Sequence, residues 1–378
     1  MGTVPRIYSV VNTPIASILA CEIAILPNQP PVPQVVLLLN DHKKLNRFLD
    51  NDSKIIIDRN KGKNIHQTQF MAAYLPPVYS TGKIATIDNL IVSGQHSKNI
   101  VSSVRKYLHC LNAGSNLFLL NPPFGAIEHL YRNLWTTSES RPNLFVGISM
   151  KREANLVSVS DEFRLKLKCS GISMRVSPVP RDFASYSHES GVNALEELRH
   201  ENDMLKLLDA TAHNPNPIAS ISPLFYSYGD LLLIRLERLI VESCIEPLAA
   251  LFGCRYTGEL LQTPKSKDLI LKLINEQVWI LKCAQPFLTN MPSFHVAMDT
   301  GRLYELILKE LRDKPKLRSQ LNHSLNQLNQ SNINQLTGYF VQLANYKKLD
   351  CRWNEVITGL VKGKAGIAKH RSLNYKYL

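Results

Sequence analysis

The chain has 378 residues, 44% of them hydrophobic and 20% charged, and this balance excludes a mainly disordered protein. A chain of this length favours two domains. Its formal net charge of +13 favours an anionic partner such as RNA, DNA, a ribosome or anionic lipid, although a soluble protein of a basic compartment would carry the same charge.

Strand and helix patterns alternate through the first half of the chain. Apolar runs predict strands at 7–11, 35–40, 54–58, 90–93, 116–121 and 143–150. Helices are predicted between them, for example at 14–26 and from about Lys98 to Leu111. This order predicts an α/β fold, with a parallel sheet covered by helices on both faces, over residues 1–176.

The organisation changes after an alternating strand pattern at 163–169. Proline, serine and glycine then predict a linker or insertion at 177–222 that contains a charged helix. An all-helical domain at 223–365 and a basic tail at 366–378 follow. Within the helical domain, the Asn- and Gln-rich segment 321–336 has leucines at roughly helical spacing and is predicted to be a polar-faced helix.

Neither a membrane span nor a metal site is predicted. The most apolar long segment, at 231–253, carries five charged residues, which would be very costly in lipid. Seven dispersed cysteines, none in a C-x-x-C pair, indicate reduced thiols inside a cell or organelle. The N-terminus resembles no secretory signal and makes only a poor transit peptide, so it predicts no location.

The turn after the first strand bears on nucleotide binding. Dinucleotide-binding sheets carry G-x-G-x-x-G/A there, because glycine lets the backbone approach the pyrophosphate at a helix N-terminus. This turn reads VVNTPIA, with Val11 and Thr13 at the first two glycine positions and Ala16 at the third. Ala16 is acceptable, but Val11 resists the glycine conformation and Thr13 adds a side chain near the phosphates. We therefore predict no cofactor: either the loop has been filled in, or the domain never bound a nucleotide.

Several longer stretches carry a family resemblance. They are IDNLIVSGQHSK, NLFLLNPPFGAIEHL, RPNLFVGIS, LERLIVESCIEPLAALFGCRYTGELL and INQLTGYFVQLA. Together they resemble ketopantoate reductase, an NADPH-dependent enzyme. The resemblance covers roughly residues 6–365, and it implies a Rossmann-like parallel-sheet domain followed by an all-helical C-terminal domain.

The same resemblance places the family's functional residues on unsuitable side chains. The substrate-contacting asparagine of its Q-N-G-x-G loop falls on Pro122, and a lysine after the fourth strand falls on Gln95. The catalytic lysine, general acid to the ketone, falls on Arg238, and a guanidinium is a poor proton donor. The substrate-binding asparagines fall on Glu242 and Glu246, whose charges would repel an anionic keto acid.

The serine and glutamate of the family's last site helix fall near Gln320 and Asn332. The joint loss of the glycines, the lysine and most ligands predicts a protein without catalytic residues. The alternative is an NAD(P)H-dependent 2-dehydropantoate reductase-like enzyme with altered residues. It predicts that the cofactor raises the melting temperature.

The stretch LLNPPFG at 119–125 raises a further alternative. Asn-Pro-Pro-Phe is the catalytic tetrapeptide of many amino-group methyltransferases, in which the asparagine holds the amine and the aromatic ring stacks on its base. Such enzymes also need a glycine-rich turn after the first strand for S-adenosylmethionine, and VVNTPIA is not one. A rigid turn at Pro122 and Pro123 is the simpler interpretation.

A closer resemblance includes both ends of the chain. PRIYS, VPQVVLLLNDHKKLNRFLDNDSKIII, RPNLF, QSNINQL and LNYKYL are similar to the fungal mitochondrial translational activators of cytochrome b mRNA, of the Cbs type. These are a degenerate branch of the reductase family. The resemblance implies a non-enzymatic role at the 5′ untranslated leader of the cytochrome b message, together with the mitochondrial ribosome and other translational activators. It also implies peripheral attachment to the matrix side of the inner membrane, and a homo-oligomer is a further possibility.

Two groups of basic residues fit an anionic partner. The C-terminal group, our candidate RNA or ribosome contact, comprises Lys347, Lys348, Arg352, Lys362, Lys364, Lys369, Arg371 and Lys376. Trp353, Tyr375 and Tyr377 are interleaved and could stack on bases, although a solvated tail is the alternative. The second group, predicted either to edge the former cofactor cleft or simply to be solvated, comprises Lys43, Lys44, Arg47, Arg59, Lys61 and Lys63.

Overall fold

The computed structural model describes residues 4–30, 33–59, 64–94, 96–151, 153–329 and 331–374. The chain divides into two compact units, the first ending at Tyr228 and the second beginning at Gly229. All the described strands belong to the first unit, and the second is helical.

The first unit combines strands and helices in alternation. Its strands are β1 (Ile7–Val10), β2 (Val35–Leu38), β3 (Lys54–Arg59), β4 (Asn64–Gln69), β5 (Met71–Ala73), β6 (Asn89–Ser93), β7 (Asn116–Leu120), β8 (Asn143–Ser149), β9 (Val157–Asp161), β10 (Arg164–Leu167), β11 (Ile172–Val179) and β12 (Ile221–Phe225). Its helices are α1 (Pro14–Ala24), α2 (His42–Asp50), α3 (Ser97–Lys106), α4 (Ala126–Asn133), α5 (Glu153–Leu156), α6 (His188–Glu201) and α7 (Asp203–Ala212), with a 3-10 turn at Leu108–Cys110.

The main sheet has eight strands in the order β12-β11-β8-β7-β6-β1-β2-β5. Neighbouring strands from β8 to β5 are parallel, whereas β11 runs antiparallel to β8 and parallel to β12. Every residue of β1, β2, β6 and β7 is buried, as expected for parallel strands covered on both faces. The predicted Rossmann-like sheet domain is confirmed.

A second sheet, in the order β4-β3-β10-β9, was not predicted. The segment 54–58 was expected in the main sheet, but as β3 it pairs with β4 and β10 instead. In β3 only Ile55 and Ile57 are buried, which suits a sheet with one exposed face rather than a fully covered one. The residues that join β3 to β4, at 60–63, lie outside the described part of the chain.

The segment 177–222 is part of the first unit rather than a linker. It completes β11 and supplies β12, and its charged portion forms two helices rather than one. They meet at Asn202, whose side chain accepts hydrogen bonds from the N–H groups of Met204 and Leu205 in the first turn of α7, at 3.0 and 3.4 Å. The boundary therefore lies at Tyr228 and not at residue 176, because strand pairing continues beyond the proline-rich stretch.

A buried carboxylate fastens this segment to α1. Glu22 is fully buried, and its Oε1 accepts a hydrogen bond from the N–H of Ala219, just before β12. Burial raises the pKa of the Glu22 carboxyl, and hydrogen bonds from the backbone of residues 218–220 and the charge of Arg59 oppose that rise. The guanidinium of Arg59 also donates to carbonyls that lie just before β11 and β12, at 3.2 and 3.4 Å.

The second unit is all-helical in its described residues, which confirms the predicted helical domain. Its helices are α8 (Tyr228–Leu251), α9 (Pro264–Ala284), α10 (Phe294–Ala297), α11 (Thr300–Asp313), α12 (Gln320–Asn326), α13 (Thr337–Lys347) and α14 (Arg352–Asn374), with 3-10 segments at Thr257–Gln262, Pro286–Asn290 and Ile333–Gln335. The long helix α9 packs against α11, α13 and α14 and forms the centre of this unit.

The Asn- and Gln-rich segment 321–336 is not the single helix that its leucine spacing predicts. α12 ends at Asn326, and Leu328 takes a left-handed φ of 58° with 47% of its surface exposed. Leu321 and Ile333 are nevertheless buried on either side of the break. Asn side chains compete for backbone hydrogen bonds and favour turns, which explains why leucine periodicity overestimates the helix here.

We expect Glu22→Ala to lower the free energy of unfolding by about 1–3 kcal/mol, because a buried backbone N–H would lose its acceptor. Urea denaturation of the full chain measures the change. Glu196→Ala on the exposed surface of α6 is the matched control and should have an effect within about 0.5 kcal/mol. Equal stability of the two variants would contradict the anchoring role of Glu22.

Candidate functional site

A cavity of about 520 Å³ lies at the carboxyl edge of the main sheet, where β1, β2 and β6 end beside α3. Sheets of this kind bind ligands at that edge. The polar lining of the cavity includes Asn12, Asn40, Lys44, Asn99, Ser103 and Lys106. We refer to this cavity as the cleft.

The predicted cofactor-loop positions lie together in the turn between β1 and α1. Thr13 is buried and extended, with a φ of −135°, and Ala16 is fully buried in the first turn of α1. The carbonyl of Val11 accepts a hydrogen bond from Lys44 Nζ at 3.3 Å. None of residues 11–16 has a positive φ, so this turn lacks the backbone conformation that glycine would permit.

Asn12 braces the same turn across the cleft. Its Nδ2 donates to the carbonyl of Ser93, at the end of β6, at 3.4 Å. The same group donates to the hydroxyl of Ser103 on α3 at 3.2 Å. One side chain therefore links the ends of two neighbouring strands to a helix, and sequence reasoning had assigned it no role.

The N-terminus of α1 is closed by a side chain from a distant part of the chain. Glu153, the first residue of α5, accepts a hydrogen bond from the N–H of Ile15 at 2.8 Å, across a sequence separation of 138 residues. Pro14, at the first helical position, has no N–H to donate. The next two N–H groups of the helix bond to the carbonyl of Thr13 at 3.1 and 3.4 Å.

This arrangement does not fit the pyrophosphate of a dinucleotide. A phosphate at a helix N-terminus needs donors that Glu153 and Thr13 already engage in this protein. The carboxylate of Glu153 would also repel a phosphate at that position. The residues present therefore disagree with NAD(P)H binding in the manner of a reductase.

The environment of Glu153 disfavours its charged form. Burial raises the pKa of the Glu153 carboxyl. The hydrogen bond from the N–H of Ile15 and the nearby hydroxyl of Thr13 oppose the rise, because both stabilise the carboxylate. The net shift is upward because the cost of burying the charge outweighs these stabilising contacts.

Two lysines supply the positive charge of the cleft. Lys106 Nζ, at the end of α3, donates to the carbonyl of Asn40 at 3.2 Å, and Lys44 Nζ reaches the carbonyl of Val11. Burial lowers the pKa of both ammonium groups. Sequence reasoning placed Lys44 beside the cleft but did not identify Lys106, because only the packing of α3 brings it there.

The other members of the second basic group lie in different surroundings. Arg47 forms a two-point ion pair with Glu162, at 2.6 and 2.9 Å. Lys43 is exposed on α2. Lys61 and Lys63 lie outside the described residues.

The Asn-Pro-Pro-Phe tetrapeptide forms a structural turn after β7. Asn121 has a left-handed φ of 48°, and its Oδ1 accepts hydrogen bonds from the N–H and hydroxyl of Ser149 at 2.8 and 3.1 Å. Its amide oxygen thus fastens β7 to the end of β8, which disfavours the methyltransferase alternative. Pro122 is buried in this turn, and Gln95 lies outside the described residues.

In the second unit, Arg238, on which the resemblance places the family's catalytic lysine, forms an ion pair. Arg238 Nε donates to Glu242, one turn later on α8, at 3.0 Å. The preceding Glu237 accepts a hydrogen bond from Arg302 of α11. The first pair joins two of the charges that the resemblance placed against a substrate.

Glu246 has a structural role that the sequence did not reveal. It is buried and accepts hydrogen bonds from the Ser319 hydroxyl at 2.7 Å and the Leu321 N–H at 3.0 Å. These contacts fasten the N-terminus of α12 to α8. Gln320 is exposed beside them, and Asn332 is half-buried at the start of a 3-10 segment.

The candidate RNA or ribosome contacts lie at the end of α13 and along α14. Those with exposed side chains are Lys347, Lys348, Arg352, Lys362, Lys369 and Arg371. Lys364 instead donates to the carbonyl of Ala250, and Lys376 lies outside the described residues. The ring of Trp353 packs against Lys272 Nζ at 4.7 Å. Tyr375 and Tyr377 also lie outside the described residues.

The chain is similar over its whole length to a known protein. Over its whole length the chain is 42% identical to the cytochrome B translational activator CBS2 of Saccharomyces cerevisiae, and the alignment covers 100% of both proteins. The chain belongs to the family of that activator. Residues 230–365 match the family described as ketopantoate reductase PanE/ApbA C terminal.

The relatives that are named as reductases are more distant. A "Probable 2-dehydropantoate 2-reductase" of Schizosaccharomyces pombe is 24% identical, over 95% of this chain and 96% of its own. The crystal structure of 2-dehydropantoate 2-reductase from Methylococcus capsulatus has a TM-score of 0.62 at 11% identity, over 96% of this chain and 97% of its own. The likeness to that structure establishes a ketopantoate reductase-like fold.

No described helix combines the length and the apolar character that crossing a membrane requires. No group of three or more His, Cys, Asp or Glu side chains in the described ranges is placed to hold a metal ion.

We expect Glu153→Gln to stabilise the protein relative to the wild type progressively as the pH rises. The raised pKa means that the native state holds a proton on Glu153 above the pH at which the unfolded state, with a value near 4.5, loses it. The wild type therefore loses stability through this window, whereas glutamine still accepts the Ile15 N–H and does not titrate. Urea denaturation from acidic to neutral pH measures the difference. A difference that stays constant or shrinks with rising pH would contradict the assignment, and Glu197→Gln on exposed α6 serves as the control.

Proposed function

We propose that this protein is a non-enzymatic activator of cytochrome b mRNA translation in mitochondria. The observation that carries the proposal is the 42% identity to the yeast activator over the whole of both proteins. Identity of that extent includes both units and exceeds the 24% shared with a protein named as a reductase. It therefore reflects more than the common fold.

The described side chains support a non-enzymatic role. Reduction of a ketone needs a bound nicotinamide and a proton donor. Glu153 occupies the helix end that would hold the cofactor, and Arg238 is paired with Glu242 where the donor would stand. Glu246 is committed to holding α12.

We propose further that the protein acts through the 5′ untranslated leader and the mitochondrial ribosome, with other translational activators, on the matrix side of the inner membrane. The net charge of +13 and the exposed cations of α14, among them Lys362 and Lys369, support binding to RNA phosphates. The same helix exposes Val356, Leu360 and Ile367 by 50%, 55% and 57%, which supports peripheral rather than spanning attachment to the membrane.

Restoring the family's lysine should not restore reductase chemistry. In Arg238→Lys, as in the wild type, we expect no oxidation of NADPH with 2-dehydropantoate and no NADPH-dependent rise in melting temperature, because α1 remains closed by Glu153. Thermal melts with and without NADPH check this, with an authentic 2-dehydropantoate reductase as the positive control. A rise of several degrees in the wild type would support the reductase alternative.

In fungal cells that lack the gene, we expect pulse-labelled mitochondrial products to lack cytochrome b while its mRNA persists. A triple variant with Lys362, Lys369 and Arg371 changed to Glu should fail to restore labelling, because it reverses the charge of the proposed contact. Its control changes Lys309, Lys316 and Arg318 to Glu, three exposed cations elsewhere in the second unit, and should restore labelling. Normal cytochrome b labelling without the gene would overturn the proposed function.

A further inference from the structure

The cleft holds two cations that the described residues leave without a carboxylate partner. Lys44 and Lys106 donate to the carbonyls of Val11 and Asn40, at 3.3 and 3.2 Å, and within the described ranges neither forms a salt bridge. A carbonyl offsets only part of the cost of taking an ammonium group out of water. Both lysines are half-buried, so they suit an anionic ligand better than bulk solvent alone.

The charges of Glu162 and Asp41 partly offset the lowered pKa of Lys44, and that of Asp41 does so for Lys106, but both carboxylates also have other partners. Both carboxylate oxygens of Glu162 accept hydrogen bonds from the guanidinium of Arg47. The carboxylate of Asp41 accepts a hydrogen bond from the backbone N–H of Lys44 at 2.8 Å and caps α2. These contacts reduce the competition that an incoming anion would meet.

The size and lining of the cleft indicate which kind of anionic ligand it could hold. Its volume of about 520 Å³ lies within the roughly 300–1,000 Å³ usual for small-ligand sites. Asn99 and Asn40 stand exposed at the rim and offer amide donors and acceptors suited to a ribose or a base edge. The pyrophosphate position beyond the cleft is closed by Glu153, which leaves room for one nucleotide but not for a dinucleotide bound as in reductases.

We infer that the cleft binds a single phosphate-bearing nucleotide of single-stranded RNA, with Lys44 and Lys106 on the phosphate and the asparagines around the sugar and base. The inference rests on the proposed function, because it takes RNA as the source of the nucleotide. It assigns to the first unit a contact separate from the basic surface of α14. A mononucleotide free in solution has the same chemistry, and the experiment distinguishes the two sources.

The test measures the affinity of the full chain for a fluorescent single-stranded RNA of about ten nucleotides, a usual site size, by anisotropy. The double variant Lys44→Ala, Lys106→Ala should bind about tenfold more weakly, since two charge-assisted contacts are lost. The matched control, Lys43→Ala with Lys98→Ala, removes two exposed charges from the same helices outside the cleft lining and should bind within about twofold of the wild type. Thermal melts confirm that both proteins are folded, and Lys44→Arg with Lys106→Arg should recover most of the affinity.

A second readout locates the contact. RNA that contains 4-thiouridine should crosslink to the peptides that carry α2 and α3, and the double alanine variant should lose these crosslinks. Crosslinks confined to α14, or equal weakening in the matched control, would overturn the inference while leaving the proposed function intact. Displacement of the RNA by equimolar AMP would overturn RNA as the source in favour of a free nucleotide. Failure of the proposed function appears separately, as normal cytochrome b labelling in cells without the gene.

Discussion

The hydrogen bond from the N–H of Ile15 to Glu153 determines how the N-terminus of α1 is satisfied at the edge of the sheet. α1 is buried along nearly its whole length, so its first donors cannot rely on water and need partners within the protein. A helix N-terminus favours negative charge whether the charge belongs to a ligand or to a side chain. Here a carboxylate brought by α5 stands where a dinucleotide would bring its pyrophosphate. The helix is therefore complete without a cofactor, and the sheet around it keeps its strand order.

The helical unit solves a similar problem by the same means. The positions that the family resemblance assigns to substrate binding carry Arg238, Glu242 and Glu246, charges that would be costly if they were left unpaired in a packed structure. Arg238 and Glu242 pair along one face of α8, and Glu246 satisfies donors at the N-terminus of α12. The sequence predicts that Glu246 repels an anionic substrate, but its carboxylate accepts hydrogen bonds from Ser319 and Leu321 instead. In both units, side chains of the protein itself satisfy helix N-termini or pair neighbouring charges.

The sequence predicts those features that depend on neighbouring residues. Buried strands such as β1 and β7 are mostly apolar runs, so the sequence alone predicts the sheet domain. The turn VVNTPIA contains no glycine, so the altered loop is also predictable from the sequence. Features that depend on tertiary contact could not. Glu153 lies 138 residues from its partner, and no local pattern marks it. The proline-rich stretch after residue 176 looked like a linker because proline reports on backbone conformation, not on which strand lies alongside.

The cleft and the charged face of α8 differ in how their charges are paired. In the helical unit, Arg238 and Glu242 form an ion pair, and Glu246 accepts hydrogen bonds at the N-terminus of α12. In the cleft, closing α1 with Glu153 removes the place for a pyrophosphate but not the lysines on the opposite walls. Lys44 and Lys106 link α2 and α3 to the ends of β1 and β2 through backbone carbonyls and supply the positive charge of the cleft lining. A single internal carboxylate therefore engages the first donor of α1, while a polar cavity that contains two lysines remains at the edge of the sheet. Such a cavity suits an anionic group better than a neutral one.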